Sequence, residues 1–335
     1  MADRRPENAC MSGGKGERHM KKPYLQHLKS SDDLLTSYEA IRSGFIALAL
    51  EKNRRATPFV AEARALKSEA SQAKVPIDLL GMKRIRPALL TASGVSNKAL
   101  KHFKDSDKDR AIAELINKFL DPAGANFVEE LVFRFLLTRG DTLGGSMRNV
   151  GGFIAQCKLS RAVIACLRIS REPVHMLRGK SKKWELMPSE DADLDRNLRG
   201  LSWSIGPNKR SLLFNLGVPL VNNNIDLCLF DCSTIDLKTA VKAPERYVAL
   251  GELKGGIDPA GADEHWKTAR AALNRIEEAF AKKKLKPHLF YVGGAIETKM
   301  SNEIWDWLKS GKLENAANLT EDDQLASIAR WICTV

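Results

Sequence analysis

The chain has 335 residues, 44% of them hydrophobic and 28% charged, which is the composition of one or two folded domains and excludes a disordered or fibrous protein. Lysine and arginine total 53 against 41 acids, a formal charge of +12, so a polyanion such as nucleic acid is the first candidate partner, with solubility alone as the bland alternative. The six cysteines (Cys10, Cys157, Cys166, Cys228, Cys232 and Cys333) form no paired Cys-x-x-Cys motif, which speaks against structural zinc and for reduced thiols in a cytoplasm.

Residues 1–24 hold Arg4, Arg5, Lys15, Arg18, Lys21 and Lys22 but no apolar run, so they are expected to form a basic arm rather than a secretory signal. No stretch reaches the roughly 20 apolar residues of a membrane span, and no membrane association is expected. Residues 25–170 carry helical periodicity throughout and are expected to form a mainly helical domain. Ser31 precedes Asp32 and Asp33 and predicts a capped amphipathic helix through Leu34, Tyr38, Ile41, Phe45 and Leu48. Thr57-Pro58, Val75-Pro76 and Ser106-Asp107 each predict a further helix start. Two apolar helices follow at 126–137 and 153–169, with the glycine-rich segment 140–149 read as a loop or tight turn between them.

Between 170 and 197, Pro173, Pro188 and the run Arg178-Gly-Lys-Ser-Lys-Lys183 predict a lapse of regular structure and a domain boundary. Short apolar runs at 201–205, 212–216, 225–230, 247–253 and 289–293 then read as strands. Trp266, Ala269, Ala272, Leu273 and Ile276 recur at helical spacing between the last two, which favours parallel pairing across that connection. Two capped helices at 301–309 and 320–331 complete residues 171–335 as an α/β domain, with a central mixed sheet flanked by helices.

Within this domain the strand period of two sends Glu252 and Lys254 to one face, directly before Gly255-Gly256. Asp226 interrupts the otherwise apolar strand 225–230, where an isolated acid is costly to bury. If the two strands are neighbours, the carboxylates converge, and paired carboxylates suit a hard divalent cation that activates water. Lys254 would then orient that water or balance charge on phosphorus. The competing reading makes Asp226 a turn cap and Glu252–Lys254 a solvated surface pair.

The order Asp226, then Glu252-Leu-Lys254, on consecutive strands resembles the catalytic pattern of the PD-(D/E)XK nuclease superfamily. The stretch Leu250-Gly-Glu-Leu-Lys-Gly-Gly-Ile-Asp-Pro-Ala-Gly-Ala-Asp-Glu-His-Trp-Lys267 is more specific and resembles the AvaI/BsoBI family of type II restriction endonucleases. Val218-Pro-Leu-Val221, Gly140-Asp-Thr-Leu-Gly-Gly-Ser-Met-Arg-Asn149 and Ala47-Leu-Ala-Leu-Glu-Lys-Asn53 extend the likeness over most of the chain.

The resemblance implies a restriction-endonuclease-like catalytic domain at 171–335, and a helical domain at 25–170 that helps to encircle and recognise double-stranded DNA. It implies a homodimer, Mg2+ as cofactor, cleavage at the degenerate palindrome CYCGRG, and a cognate DNA methyltransferase in the same restriction–modification system. Asp226, Glu252 and the Leu253 backbone carbonyl would hold the metal, and Lys254 and His265 would join the two acids in catalysis. Asp258, Lys98, Arg148 and Asn223 would meet DNA. Asp258, Lys98 and His265 have plainer alternatives: Asp258 as a cap before Pro259, Lys98 on a solvated surface, His265 bonded to Asp263 or a backbone group. Ile225 stands where the family has proline, and Asn222-Asn-Asn224 replaces a lysine-containing stretch, which loosens the transfer of fine specificity. A repair or junction nuclease of the same fold, or a non-catalytic DNA-binding protein, are the other classes.

Overall fold

The computed structural model describes residues 22–147, 149–170, 173–179, 183–190 and 193–335. The basic arm up to residue 21, Cys10 and Arg148 lie outside the described residues. The first half contains α1 (Tyr38–Ala70), α2 (Arg86–Ala92), α3 (Asp105–Leu115), α4 (Phe127–Met147) and α5 (Val150–Ser170). The second half begins with β1 (His175–Arg178), β2 (Trp184–Leu186), β3 (Leu198–Ile205), β4 (Asn208–Val218) and β5 (Asn223–Phe230). It continues through α6 (Leu237–Ala240), β6 (Tyr247–Lys254), α7 (Pro259–Ala281), β7 (His288–Gly293), α8 (Thr298–Ser310), β8 (Asn315–Asn318) and α9 (Asp322–Thr334).

The eight strands form one mixed sheet in the order β2-β1-β3-β4-β5-β6-β7-β8. Neighbours up to β6 run antiparallel, whereas β6, β7 and β8 are parallel, because α7 and α8 return the chain to the same end each time. Both faces are covered, which is why the central strands read as near-continuous apolar runs. Cys228, Phe230 and Leu250 face Trp266, Leu273, Ile276 and Phe280 of α7 and Ile304 and Leu308 of α8. Leu227, Leu229, Ala249 and Leu253 face Leu159, Val163 and Leu167 of α5 and Ile328 and Ile332 of α9. Each buried Leu, Ile, Val or Phe among them contributes roughly 1.5–3 kcal/mol. Among the described residues α5 is the one helix long and apolar enough to cross a membrane by composition, and that apolar character is spent against the sheet. A third core joins Leu66 and Ala70 of α1 to Leu89, Ile112, Leu115, Leu131 and Phe135.

Several local expectations are corrected. The helix expected from Ser31 stops after one 3-10 turn, Ser31–Leu34. Thr36 leaves helical geometry to pair with the sheet end, its N–H donating to Ile296 O at 3.0 Å and its hydroxyl to Gly294 O at 2.9 Å. The long helix therefore starts at Tyr38, capped by Ser37, whose hydroxyl accepts from Ala40 N. Pro58 does not begin a helix but sits inside α1, and Val75-Pro76 opens only the 3-10 turn Pro76–Gly81. Gly140, Gly144 and Gly145 belong to α4 rather than to a loop, since Asn149 N–H closing on Ser146 O is enough to turn into α5. The segment expected to lack regular structure instead forms the β1–β2 hairpin, anchored by buried Met176.

A division at residue 170 follows the chain but not the packing. Tyr24, Leu28 and Leu34 belong to the core under α7 and α8, and α5 belongs to the core under α9, so both ends of the span 25–170 are built onto the sheet. The middle of that span, from the second half of α1 through α4, forms the separate helical core.

Candidate active site

The β5–β6 ladder runs to the pair Leu227 and Gly251, and one step further in the same register sets Asp226 across from Glu252. Directly opposed residues share a face, and Lys254, two positions on, shares it as well. Lys254 Nζ donates to Asp226 Oδ2 at 2.9 Å and to Glu252 Oε2 at 2.6 Å. The Leu253 N–H donates to the same Asp226 oxygen at 2.9 Å. Because the N–H and C=O of one residue in an extended strand point to the same side, the Leu253 carbonyl lies on the strand edge that faces Asp226. Asp226, Glu252 and Lys254 converge as expected, and the pair is not a solvated surface pair, since Glu252 is 3% exposed.

Electrostatics follow from this burial. Desolvation, reinforced by the Asp226 carboxylate, pushes the Glu252 carboxyl up to about 7, although the Lys254 ammonium pulls the other way. Burial alone would lower Lys254, but Glu252 and Asp226 outweigh it and hold the amine above its ordinary value. A buried acid with a poised proton beside a second carboxylate is a site that exchanges protons for cations.

The arrangement fits a hard divalent ion. Two carboxylates and a backbone carbonyl make an all-oxygen donor set. Among the described residues no cluster of three or more His, Cys, Asp and Glu side chains competes as a metal site, and the five described cysteines are all free thiols. The group opens into a cleft of about 500 Å3 between the start of α5 and the start of α7.

Glycines let the walls of that cleft meet. A Cβ on Gly255 would stand 2.6 Å from Ala155 Cβ and run into the Gly151 carbonyl, so the loop after Lys254 touches α5 backbone to backbone. A Cβ on Gly256 would collide with His265 Nε2, so the imidazole lies directly against this loop and lines the cleft with Asp226 and Lys254. Asp263 pairs with Lys267 at 2.6 Å and not with His265.

The expected DNA-contact residues are dispersed. Asp258 is exposed and caps α7, its Oδ1 accepting from Ala260 N at 3.0 Å, as the plainer alternative anticipates. Asn223 begins β5 at the rim of the sheet, its Oδ1 accepting from Asn224 N. Lys98 is exposed in the helical core, in the turn before Ala99–Lys101, and does not line the cleft.

Two cleft residues escaped the sequence reading. Asn215 interrupts β4 with a left-handed backbone (φ 52°) opposite Asp226, and its Nδ2 donates to Gln156 Oε1 at 3.1 Å. Gln156 Nε2 in turn donates to Leu198 O at 2.7 Å. An asparagine inside a strand was the available signal; a glutamine on an apolar helix gave none.

Comparison with known proteins finds relatives over nearly the whole chain. The family described as "Restriction endonuclease BsobI" matches residues 24–335. The type II restriction enzyme AvaI of Nostoc sp. is 57% identical over 310 residues, which cover 92% of this chain and 98% of the relative. The type II restriction enzyme BsoBI of Geobacillus stearothermophilus is 51% identical over 321 residues, covering 94% and 99% respectively.

Proposed function

The chain belongs to the BsoBI restriction endonuclease family, and from that premise we propose that Asp226, Glu252 and Lys254 form the centre with which it cuts DNA. It is a type II site-specific deoxyribonuclease that acts on double-stranded DNA with a divalent cation. Mg2+ is the ion we assign, held by Asp226, Glu252 and the Leu253 carbonyl; when bound it polarises the phosphodiester and lowers the pKa of a water. Lys254, bonded to both carboxylates and lining the cleft, would orient the nucleophile and balance charge on phosphorus with its ammonium. The His265 imidazole, lining the same cleft, accepts the proton that the water loses.

Specificity is assigned by the same reading. The substrate is the palindrome CYCGRG, read by a homodimer whose two-fold axis presents one centre to each strand. A donor aimed at purine N7 accepts either base at the degenerate position, and Asp258 accepts from a cytosine amino group. Arg148, Lys98 and Asn223 are further DNA contacts, and the helical core helps to surround the duplex. A cognate methyltransferase protects the host, in a cytoplasmic setting.

The observation that carries this reading is the bond from Lys254 to a 3% exposed Glu252, with Asp226 on the same nitrogen. Plasmid digestion followed by run-off sequencing tests it. Cuts in both strands at CYCGRG, leaving five-prime extensions, are expected; cuts at junctions or flaps without a fixed hexamer would instead favour a repair nuclease of this fold.

A further inference from the structure

Beside the proposed centre lies a buried polar atom to which the fold gives no partner. Tyr291 on β7 is directly paired with Glu252 across the parallel β6–β7 register, so both side chains leave the sheet on one face. The residue is 0% exposed, and its ring stands edge-on to Trp266 with centroids 5.2 Å apart. The ring leans forward along the strand, because a Cβ on Gly293 would be 2.6 Å from the Tyr291 hydroxyl. Gly293 pairs with Lys254, so the hydroxyl sits level with Lys254, in the layer that holds the Glu252 carboxyl and the Lys254 ammonium. Among the described residues this buried hydroxyl has no hydrogen-bond partner.

A tyrosine kept for packing alone would do as well as phenylalanine, since an unpaired buried hydroxyl costs desolvation and returns nothing. Glu252 supplies the reason for retaining it. As the structure stands, Lys254 Nζ donates to both carboxylates. When the ammonium turns to water and phosphate, the 3% exposed Glu252 carboxylate loses a donor, which is expensive in a dry setting. We infer that Tyr291 is a positioning residue whose hydroxyl donates to the Glu252 carboxylate in the metal-bound state and fixes its orientation toward the ion. This rests on the nuclease reading above and adds to it the group that stands behind the metal ligand. Burial, and after it the neighbouring Glu252 and Asp226 carboxylates, raise the Tyr291 hydroxyl above its ordinary value, so it stays a protonated donor.

The test is Tyr291→Phe, which removes one oxygen and keeps the ring against Trp266. Ca2+ is titrated calorimetrically into the full-length protein bound to a CYCGRG duplex, for the wild type, Tyr291→Phe and Asp226→Asn. The expected result is a Ca2+ Kd about 10–100-fold weaker in Tyr291→Phe, the usual cost of losing a partner behind a metal ligand. Duplex affinity in EDTA should be unchanged, and the metal-free thermal midpoint unchanged or higher. Ca2+ binding equal to wild type in Tyr291→Phe, with Asp226→Asn impaired, would overturn the inference and leave the nuclease reading intact. A lowered metal-free midpoint together with weaker duplex binding would mark a structural role and also overturn it. If wild type and Asp226→Asn take up Ca2+ alike, the metal site itself falls, and this inference with it.

Discussion

Lys254 Nζ lies 2.6 Å from Glu252 Oε2, a charge-assisted bond between residues that the strand period places on one face of β6. The bond satisfies a carboxyl that is otherwise buried, and it stores the cation that phosphate chemistry needs.

Removing that cation should separate binding from cutting. Lys254→Ala is expected to lower the cleavage rate by at least about 10²–10³-fold while leaving duplex affinity within a few fold, since affinity rests on phosphate and base contacts elsewhere. Glu252 should take up a proton in this variant, so the fold survives the loss of its partner. Single-turnover cleavage and gel-shift titration on one duplex check both halves; wild-type cleavage would remove Lys254 from the mechanism.

Metal binding should depend on pH through Glu252. Its carboxyl is raised from 4.5 to about 7, so at lower pH the ion must displace a proton, and apparent affinity is expected to fall by about tenfold per pH unit below 7 and to flatten above it. The sign for the metal-free fold is opposite. A raised acid contributes stability fully present below 4.5 that is lost as pH rises through about 7, so mild acid favours the metal-free protein through this group. Calorimetric Ca2+ titrations at pH 6 and pH 8, in buffers of different ionisation heat, measure the proton released; an affinity independent of pH contradicts the assignment.

Gly256→Ala should act through His265. The new methyl collides with His265 Nε2, so the imidazole must move while the strands behind it stay in place. Cleavage is expected to drop by about 10²–10⁴-fold, the usual share of a general base, with little change in duplex affinity. His265→Ala should fall as far, and the double variant no further, because both changes remove one function. Additive losses in the double variant would show that Gly256 matters for another reason.

Pro58→Ala should stabilise the protein without altering cleavage. Pro58 is exposed in the interior of the 33-residue α1, where it removes one helical hydrogen bond. A gain of about 1–3 kcal/mol in urea unfolding is expected. A loss of stability would mean that a bend at Pro58 is needed to join α1 to both the sheet and the helical core.

How much of this was legible in the sequence depends on the range of the forces involved. The strands around 201–205, 225–230 and 247–253 announced themselves because both faces of the sheet are buried, and the acids and lysine stood out against that apolar background. β8 stayed hidden because Asn315-Ala-Ala-Asn318 is buried yet small and polar, with Asn318 Nδ2 held by Leu34 O far away in the chain. Pro58 and the glycines of α4 misled because an exposed residue of low helix propensity is carried inside a long helix that other positions anchor, Leu66 and Ala70 on α1 and Leu131 and Phe135 on α4 being buried in the helical core. Asn215, Gln156 and Tyr291 reach the centre only through tertiary pairing, and residue spacing does not encode that.

The most direct measurement is a crystal structure of the protein on a CYCGRG duplex grown with Ca2+. An ion is expected within about 2.3–2.6 Å of oxygens from Asp226, Glu252 and the Leu253 carbonyl, next to a phosphate, with Lys254 turned toward that phosphate. An ion bound elsewhere, or a phosphate that never reaches this cleft, would contradict it.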